Sequence, residues 1–396
     1  MPSPVADRPG LLIRDPFRYS DVTLIIPPVL VPCLQCFDGA QTDLDLKAML
    51  VRATGELDNS ELMAHLIDTL SNSGFLENEA FARRKEESER AFERAPKREA
   101  VHAGGAYPNE VDPLRATLDR YMGGAEQGKV QRAQTDGLVG IAAPHVSPEG
   151  GWQSYRAAYN MMSPEYKDRT FVVLGTSHYG QAERFGLTRK PFVTPLGETA
   201  VDIALVDWLQ QQAAPAIQME DYCHSVEHSI EFQVLFLQHL YGPQIRILPI
   251  LCGPYAHSIY LGGKPETDDN VHRFLNTLGE LAAREGERLF WVLGIDMAHI
   301  GRRYGDTFAA RADEGAMVEV TARDRGRIDR LAAGDAVGFW DLVQEKHDDL
   351  KWCGSSPLYT FLKAVPQARG HLLRYEQWNI DEQSVVSFAG LAFRAS

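Results

Sequence analysis

The sequence predicts an α/β protein, with a central, mostly parallel sheet flanked by helices and a small module in front of it. Three observations carry this. After residue 100, short apolar runs recur: GLVGIAAPH, TFVVLGTSH, IRILPILCG, RLFWVLGIDMAH and SVVSFAGLAF. Amphipathic stretches such as IALVDWLQQQAA and SIEFQVLFLQHLYG separate most of them. The runs are apolar almost throughout rather than at alternate positions, which suits strands buried on both faces. A chain of 396 residues, 44% hydrophobic, has room for about two to three domains.

Taken in order, residues 20–80 read as a unit of their own. The segment DVTLIIPPVLVPCLQCFDGAQTDLDLKAML holds a turn, FDGAQTDLD, then a helical pattern through Leu44, Leu46, Met49, Leu50 and Val51. A second helix follows in NSELMAHLIDTLSNSGFLENEAF, with Asn59 or Ser60 as N-cap and Gly74 as its stop. The tail GFLENEAF reads as a short strand. Helices followed by a hairpin-like end predict a winged-helix-like module over residues 1–80. Residues 81–100 are almost wholly charged and read as a solvated helical linker. The α/β domain is expected over residues 101–396.

The net charge of -14 and pI of about 5.4 disfavour coating nucleic acid or an anionic membrane. The start MPSPVADRPGLLIRDPFRYS lacks a long apolar core, and VTLIIPPVLVPCL is too short and proline-broken to span a bilayer. A cytoplasmic location is therefore expected. Five cysteines, an odd number at low density, predict free thiols.

Three of the apolar runs end alike: the first at His145, the second at His178, and a third with Asp296 and His299. In open α/β sheets ligands bind just beyond the carboxyl ends of the strands. The segment CHSVEHSIEF adds His224, Glu227, His228 and Glu231. Read as the start of a helix, it puts Glu227 and Glu231 on one face and His224 and His228 on another, and it supplies a His and a Glu to the cleft. In KWCGSSPLYTFLKAV, Cys353 stands beside a helix N-terminus, where the dipole favours a thiolate. A His, His, Cys set suits iron, copper or zinc and not magnesium or calcium. Three protein ligands also leave a position open for chemistry. Asp296 or Glu227 would then orient a ligand imidazole, and His299 would move protons. CLQC (Cys33–Cys36) has no second pair, LGGKPET lacks the glycine and Lys-Ser/Thr pattern of a phosphate loop, and His65, His239, His257, His272, His347 and His371 read as structural or solvated.

The ordered motifs VHAGGAYP, APH, LGTSH, EHSIEF, GIDMAHIG and CGSSP make residues 101–396 resemble the Memo family, whose prokaryotic members are called AmmeMemoRadiSam system protein B. The resemblance implies a fold similar to the LigB-type extradiol dioxygenases. It implies a redox metal, copper or iron, on His145, His178 and Cys353, with Asp296 and His299 beside it. It also implies a radical S-adenosylmethionine enzyme and an AMMECR1-type protein as associates. Two departures stand out: VSPEGGWQSY follows PH where many members have Ala-Gly-Tyr, and Tyr179 stands where a second histidine often follows. Through LQCFDGAQTDLDL the first region resembles PqqD-like winged-helix modules, which implies peptide binding. Three functions follow as expectations: a metal-dependent oxidoreductase acting with dioxygen on a small aromatic or thiol substrate, a non-catalytic adaptor for a metal or peptide ligand, and a zinc hydrolase with Glu227 as base.

Overall fold

In the first of two units, residues 1–94, two short strands pair antiparallel: β1 (Leu11–Arg14) and β2 (Thr23–Ile26). The computed structural model describes residues 8–123 and 137–396. Helices Asp43–Thr54, Ser60–Asn72 and Glu79–Arg94 follow. The first starts at a capping box, in which the Thr42 hydroxyl accepts from the Asp45 N–H and the Asp45 carboxylate accepts from the Thr42 N–H. Ile26, Cys33, Leu46, Leu50, Leu66 and Leu70 form the unit's core, so Cys33 of the CLQC pair is packing.

Two expectations change here. GFLENEAF forms no strand: the Asn78 carboxamide accepts from the Phe81 N–H at 3.0 Å and starts the helix Glu79–Arg94. That helix buries Phe92 and belongs to the first unit. Among the described residues of the unit, the strands precede the helices, so a hairpin closing a winged helix is not seen. The charged stretch read as a linker is divided, with residues from Ala95 onward in the second unit.

The second unit, residues 95–396, is built on one 11-stranded sheet. Its strands are β3 (Leu138–Ala143), β4 (Thr170–Thr176), β5 (Phe185–Leu187), β6 (Phe192–Thr194), β7 (Gly197–Val201), β8 (Ile217–Met219), β9 (Arg246–Cys252), β10 (Leu289–Gly294), β11 (His299–Gly301), β12 (Ala368–Asp381) and β13 (Ser384–Ala395). The centre, in the order β3-β10-β4-β9, is parallel and almost wholly buried, which is why those runs read as continuously apolar. Outside it the sheet is mixed. β13 lies antiparallel to β3, and β5 lies antiparallel to β9. The long β12–β13 hairpin turns tightly at Asp381–Ser384, and a tight turn can only join antiparallel strands.

Register brings three strand ends to one level. Gly294 of β10 pairs with Ala143 of β3 on one side and with Gly175 of β4 on the other. His145, His178 and Asp296 each lie two residues beyond the last residue of their strand. The two glycines are needed because the chain around Ser229 rests on them. A Cβ at Gly294 would lie 2.1 Å from the Ser229 carbonyl oxygen, and one at Gly175 would lie 2.5 Å from the Ser229 hydroxyl. Gly294→Ala is therefore expected to destabilise the protein by about 1–3 kcal/mol, measured by urea denaturation. It should also weaken the site, because the turn that must yield carries Glu227 and His228.

Candidate metal site

The turn resting on those glycines is not the helix start that the sequence suggests. A short helix, Cys223–Val226, stops at Glu227, whose backbone is extended with φ -78° and ψ 140°, and the next helix begins only at Glu231. Glu227 and Glu231 therefore share no helical face, and neither do His224 and His228. Tertiary partners override the local pattern. The Glu227 carboxylate accepts from the backbone N–H groups of His178 (2.9 Å) and His228 (3.0 Å), which a helical Glu227 would not reach.

His145, His178 and His228 meet at this point. Among the described residues they form a set in which one nitrogen from each ring lies within 4.8 Å of the other two. Ring centroids are 5.0 Å apart for His145–His178 and 5.1 Å for both other pairs. Each Nδ1 already has an acceptor. Glu227 Oε1 faces Nδ1 of His178 at 2.9 Å and of His228 at 3.2 Å, while the Gly294 carbonyl faces that of His145 at 3.0 Å. With Nδ1–H so engaged, Nε2 is the atom left on each ring to ligate a metal, which would displace any proton held there. The donor set therefore fits a transition metal.

Cys353, expected as the third ligand, lies beside this set. Its Sγ is 3.2 Å from His145 Nε2 and 3.7 Å from the Asp296 carbonyl. His228, expected as a catalytic group, supplies the third nitrogen of the set. Asp296 Oδ1 accepts from the His145 N–H at 2.9 Å, and its Oδ2 lies 3.5 Å from His145 Nε2. His299 presents Nδ1 to the carbonyls of Met297 (2.9 Å) and Lys351 (3.0 Å), with its ring edge-on to Tyr304. His224 turns away from the site and bonds the Gly186 carbonyl.

Burial and charge separate the titrations. Burial pulls His178 down, but the Glu227 carboxylate and the contact with Cys353 outweigh it and hold the imidazole well above its ordinary value. Burial would raise Glu227, yet His178, then His228, hold it well below the usual carboxylate range. Burial, followed by the charges of His178 and His228, keeps His145 low. Burial lifts Asp296 to about 6 against the pull of the His145 N–H. Burial and the neighbouring His178 bring His299 to about 4, so it is neutral at neutral pH. Burial raises the Cys353 thiol, and its hydrogen bond with His178 acts in the opposite direction.

Sequence reasoning missed a second layer. Arg98, within the supposed linker, is buried and pairs with the equally buried Glu231. Glu231 also accepts from the Tyr107 hydroxyl and from the backbone N–H of His102, whose Nδ1 lies 3.0 Å from it. The His102 ring meets that of His228 at 5.6 Å. The available signal was the Arg98-Glu99-Ala100 segment directly ahead of VHAGGAYP, but a buried arginine cannot be told from its charged neighbours by composition.

The fold and this cluster define an α/β protein with three imidazoles gathered at the carboxyl edge of a parallel sheet core. The Memo-like protein family profile matches residues 98–392, and the chain belongs to that family. Its relatives include a MEMO1 family protein of Aquifex aeolicus, 27% identical over 96% of this chain and 95% of that one. A MEMO1 family protein of Pyrococcus furiosus is 30% identical over 75% of this chain and 99% of its own. An uncharacterized Escherichia coli K12 protein of solved structure, JW3007, aligns with a TM-score of 0.40 at 14% identity, over 64% of this chain and 99% of that chain, too weakly to add to the argument.

Proposed function

We propose that the protein is a metal-dependent oxidoreductase that holds iron or copper on His145, His178 and His228, with Cys353 at its side, and acts on a small molecule. The observation that carries this is the convergence of three imidazoles whose Nδ1 atoms are all engaged by acceptors. When bound, such an ion would supply electron transfer and activation of a ligand at an open position. The chain's own residues do the rest. Glu227 fixes two rings and offsets positive charge, and the Gly294 carbonyl fixes the third. Asp296, held near 6, can hold or release a proton beside His145 near neutral pH. His299, neutral with Nδ1 committed to carbonyls, offers Nε2 as an acceptor.

A cavity of about 290 Å³ opens beside the cluster, walled by His178, Cys353, Tyr255, Ile259, Trp340 and Trp352. The ring-rich wall supports a small aromatic substrate, and the volume is about twice that of an engineered cavity known to bind benzene. Zinc is the second reading, because three imidazole nitrogens also suit a hydrolytic zinc site with Glu227 nearby. The free state of all five cysteines supports a reducing, cytoplasmic setting. Among the described residues, no helix is long and apolar enough to cross a membrane.

Elemental analysis of protein purified without added metal tests the proposal. About one iron or copper per chain is expected, lost in His178→Ala. In Cys353→Ala the ion should stay, with a changed absorption spectrum. Loss of the ion in that variant would make Cys353 a ligand, as the family resemblance implies. Stoichiometric zinc would favour hydrolysis. Wild-type protein that takes up no metal, or a loaded protein that is redox-silent, would leave the adaptor reading.

A further inference from the structure

We propose that Asp324 is a positioning residue for this site, and that its buried carboxylate ties together the two segments that bring Cys353 and the Asp296–His299 pair to the metal cluster. Asp324 lies on the helix Ala316–Ala333 and is fully buried. One of its oxygens, Oδ1, accepts from Trp352 Nε1 at 2.7 Å. The other, Oδ2, accepts from the Ser387 hydroxyl at 2.6 Å and the Tyr375 hydroxyl at 2.7 Å.

Each partner leads somewhere different. Trp352 immediately precedes Cys353, walls the cavity, and carries the Arg327 guanidinium over its ring at 5.1 Å. Ser387 is joined to the residues between Asp296 and His299 by three hydrogen bonds. Its hydroxyl accepts from the Ala298 N–H at 2.9 Å, its carbonyl accepts from the Met297 N–H at 2.8 Å, and its own N–H donates to the Ala298 carbonyl at 2.9 Å. Tyr375 belongs to β12 and leads away from the site. One oxygen thus secures the cysteine segment and the other secures the Asp-x-x-His segment.

A carboxylate is suited to this place because an indole N–H and two hydroxyls all donate to it, and an ionised carboxylate only accepts. Burying such a group is costly unless its hydrogen bonds are made. Asparagine would keep the size but turn an N–H₂ toward donors. The spacing at stake is the 3.2 Å between Cys353 Sγ and His145 Nε2.

The inference shares its site with the proposed function, but its main readout needs no metal. In metal-free protein, the alkylation rate of Cys353 by iodoacetamide, resolved by peptide mass spectrometry, is compared among wild type, Asp324→Asn, Trp352→Phe, the double variant and Tyr375→Phe. Asp324→Asn and Trp352→Phe should each change the rate about tenfold in the same direction, with the double variant no further displaced, because both break one path. Tyr375→Phe should stay within about twofold of wild type. If Asp324→Asn does not fold, Trp352→Phe against Tyr375→Phe carries the test. A lowered melting temperature with an unchanged Cys353 rate, or Tyr375→Phe changing the rate as much as the other two, would reduce Asp324 to a packing residue. If the native protein binds no metal, the thiol result still stands on its own, so the two readings fail separately.

Discussion

Arg98→Met is expected to lower the folding free energy by about 3–5 kcal/mol, the cost of leaving one partner of a buried ion pair alone. Arg98 and Glu231 have no exposed side-chain surface. The guanidinium also donates to the carbonyls of His224 (2.8 Å), Glu99 (2.9 Å) and Glu227 (2.6 Å). Methionine matches the stem of the side chain but answers none of these groups. The double variant Arg98→Met, Glu231→Gln should recover part of the loss, since it removes the stranded charge. Urea denaturation measures both, and a single variant within about 1 kcal/mol of wild type would show that the pair is not needed for the fold.

The same pair sets an acid limit. Burial would raise the Glu231 carboxyl, but Arg98, then His102 and Tyr107, bring it from 4.5 to about 2. The folded value lies below the unfolded one, so the stabilisation is complete above about pH 4.5 and is lost as the pH falls toward 2. Stability of Glu231→Gln should consequently depend less steeply on pH across that window. Parallel curves for the variant and wild type would contradict the assignment.

Glu227→Ala is expected to weaken metal binding by about 10–100-fold, the usual effect of removing a residue that orients ligand imidazoles. The carboxylate is buried, faces Nδ1 of both His178 and His228, and accepts from both of their backbone N–H groups. Without it two rings lose their orientation and the extended turn at 227 loses its reason. Glu227→Gln, which keeps one acceptor oxygen, should fall between. Competition with a chelator of known affinity measures the series. Equal affinity in all three proteins would mean that backbone packing alone aims the rings.

Much of this architecture was legible because its causes are local. The central strands announce themselves by unbroken apolar runs, and His145, His178 and Asp296 follow those runs at a fixed short distance, so a strand-end site could be read directly. Cys353 was legible as a residue that comes to His145 and His178, but what holds it there was not. Its neighbourhood depends on Trp352, Asp324 and Ser387, which lie far apart in the chain. Glu227 and His228 were legible as chemistry and misplaced as structure, because a helical pattern runs through CHSVEHSIEF and only long-range hydrogen bonds interrupt it. The antiparallel flanks of the sheet were missed in part because β12 alternates between half-buried and exposed residues and does not stand out as a run.

By itself, then, the sequence determined which segments become buried strands and which side chains stand at their carboxyl ends, since burial on both faces demands apolar residues at nearly every position. Tertiary structure alone decided that His228 joins the two strand-end histidines, that Asp324 bonds the tryptophan preceding Cys353, and that Arg98 leaves the charged stretch to meet Glu231. The physical reason is the same in each case: a buried carboxylate must find its donors wherever the fold brings them, and sequence distance says nothing about that.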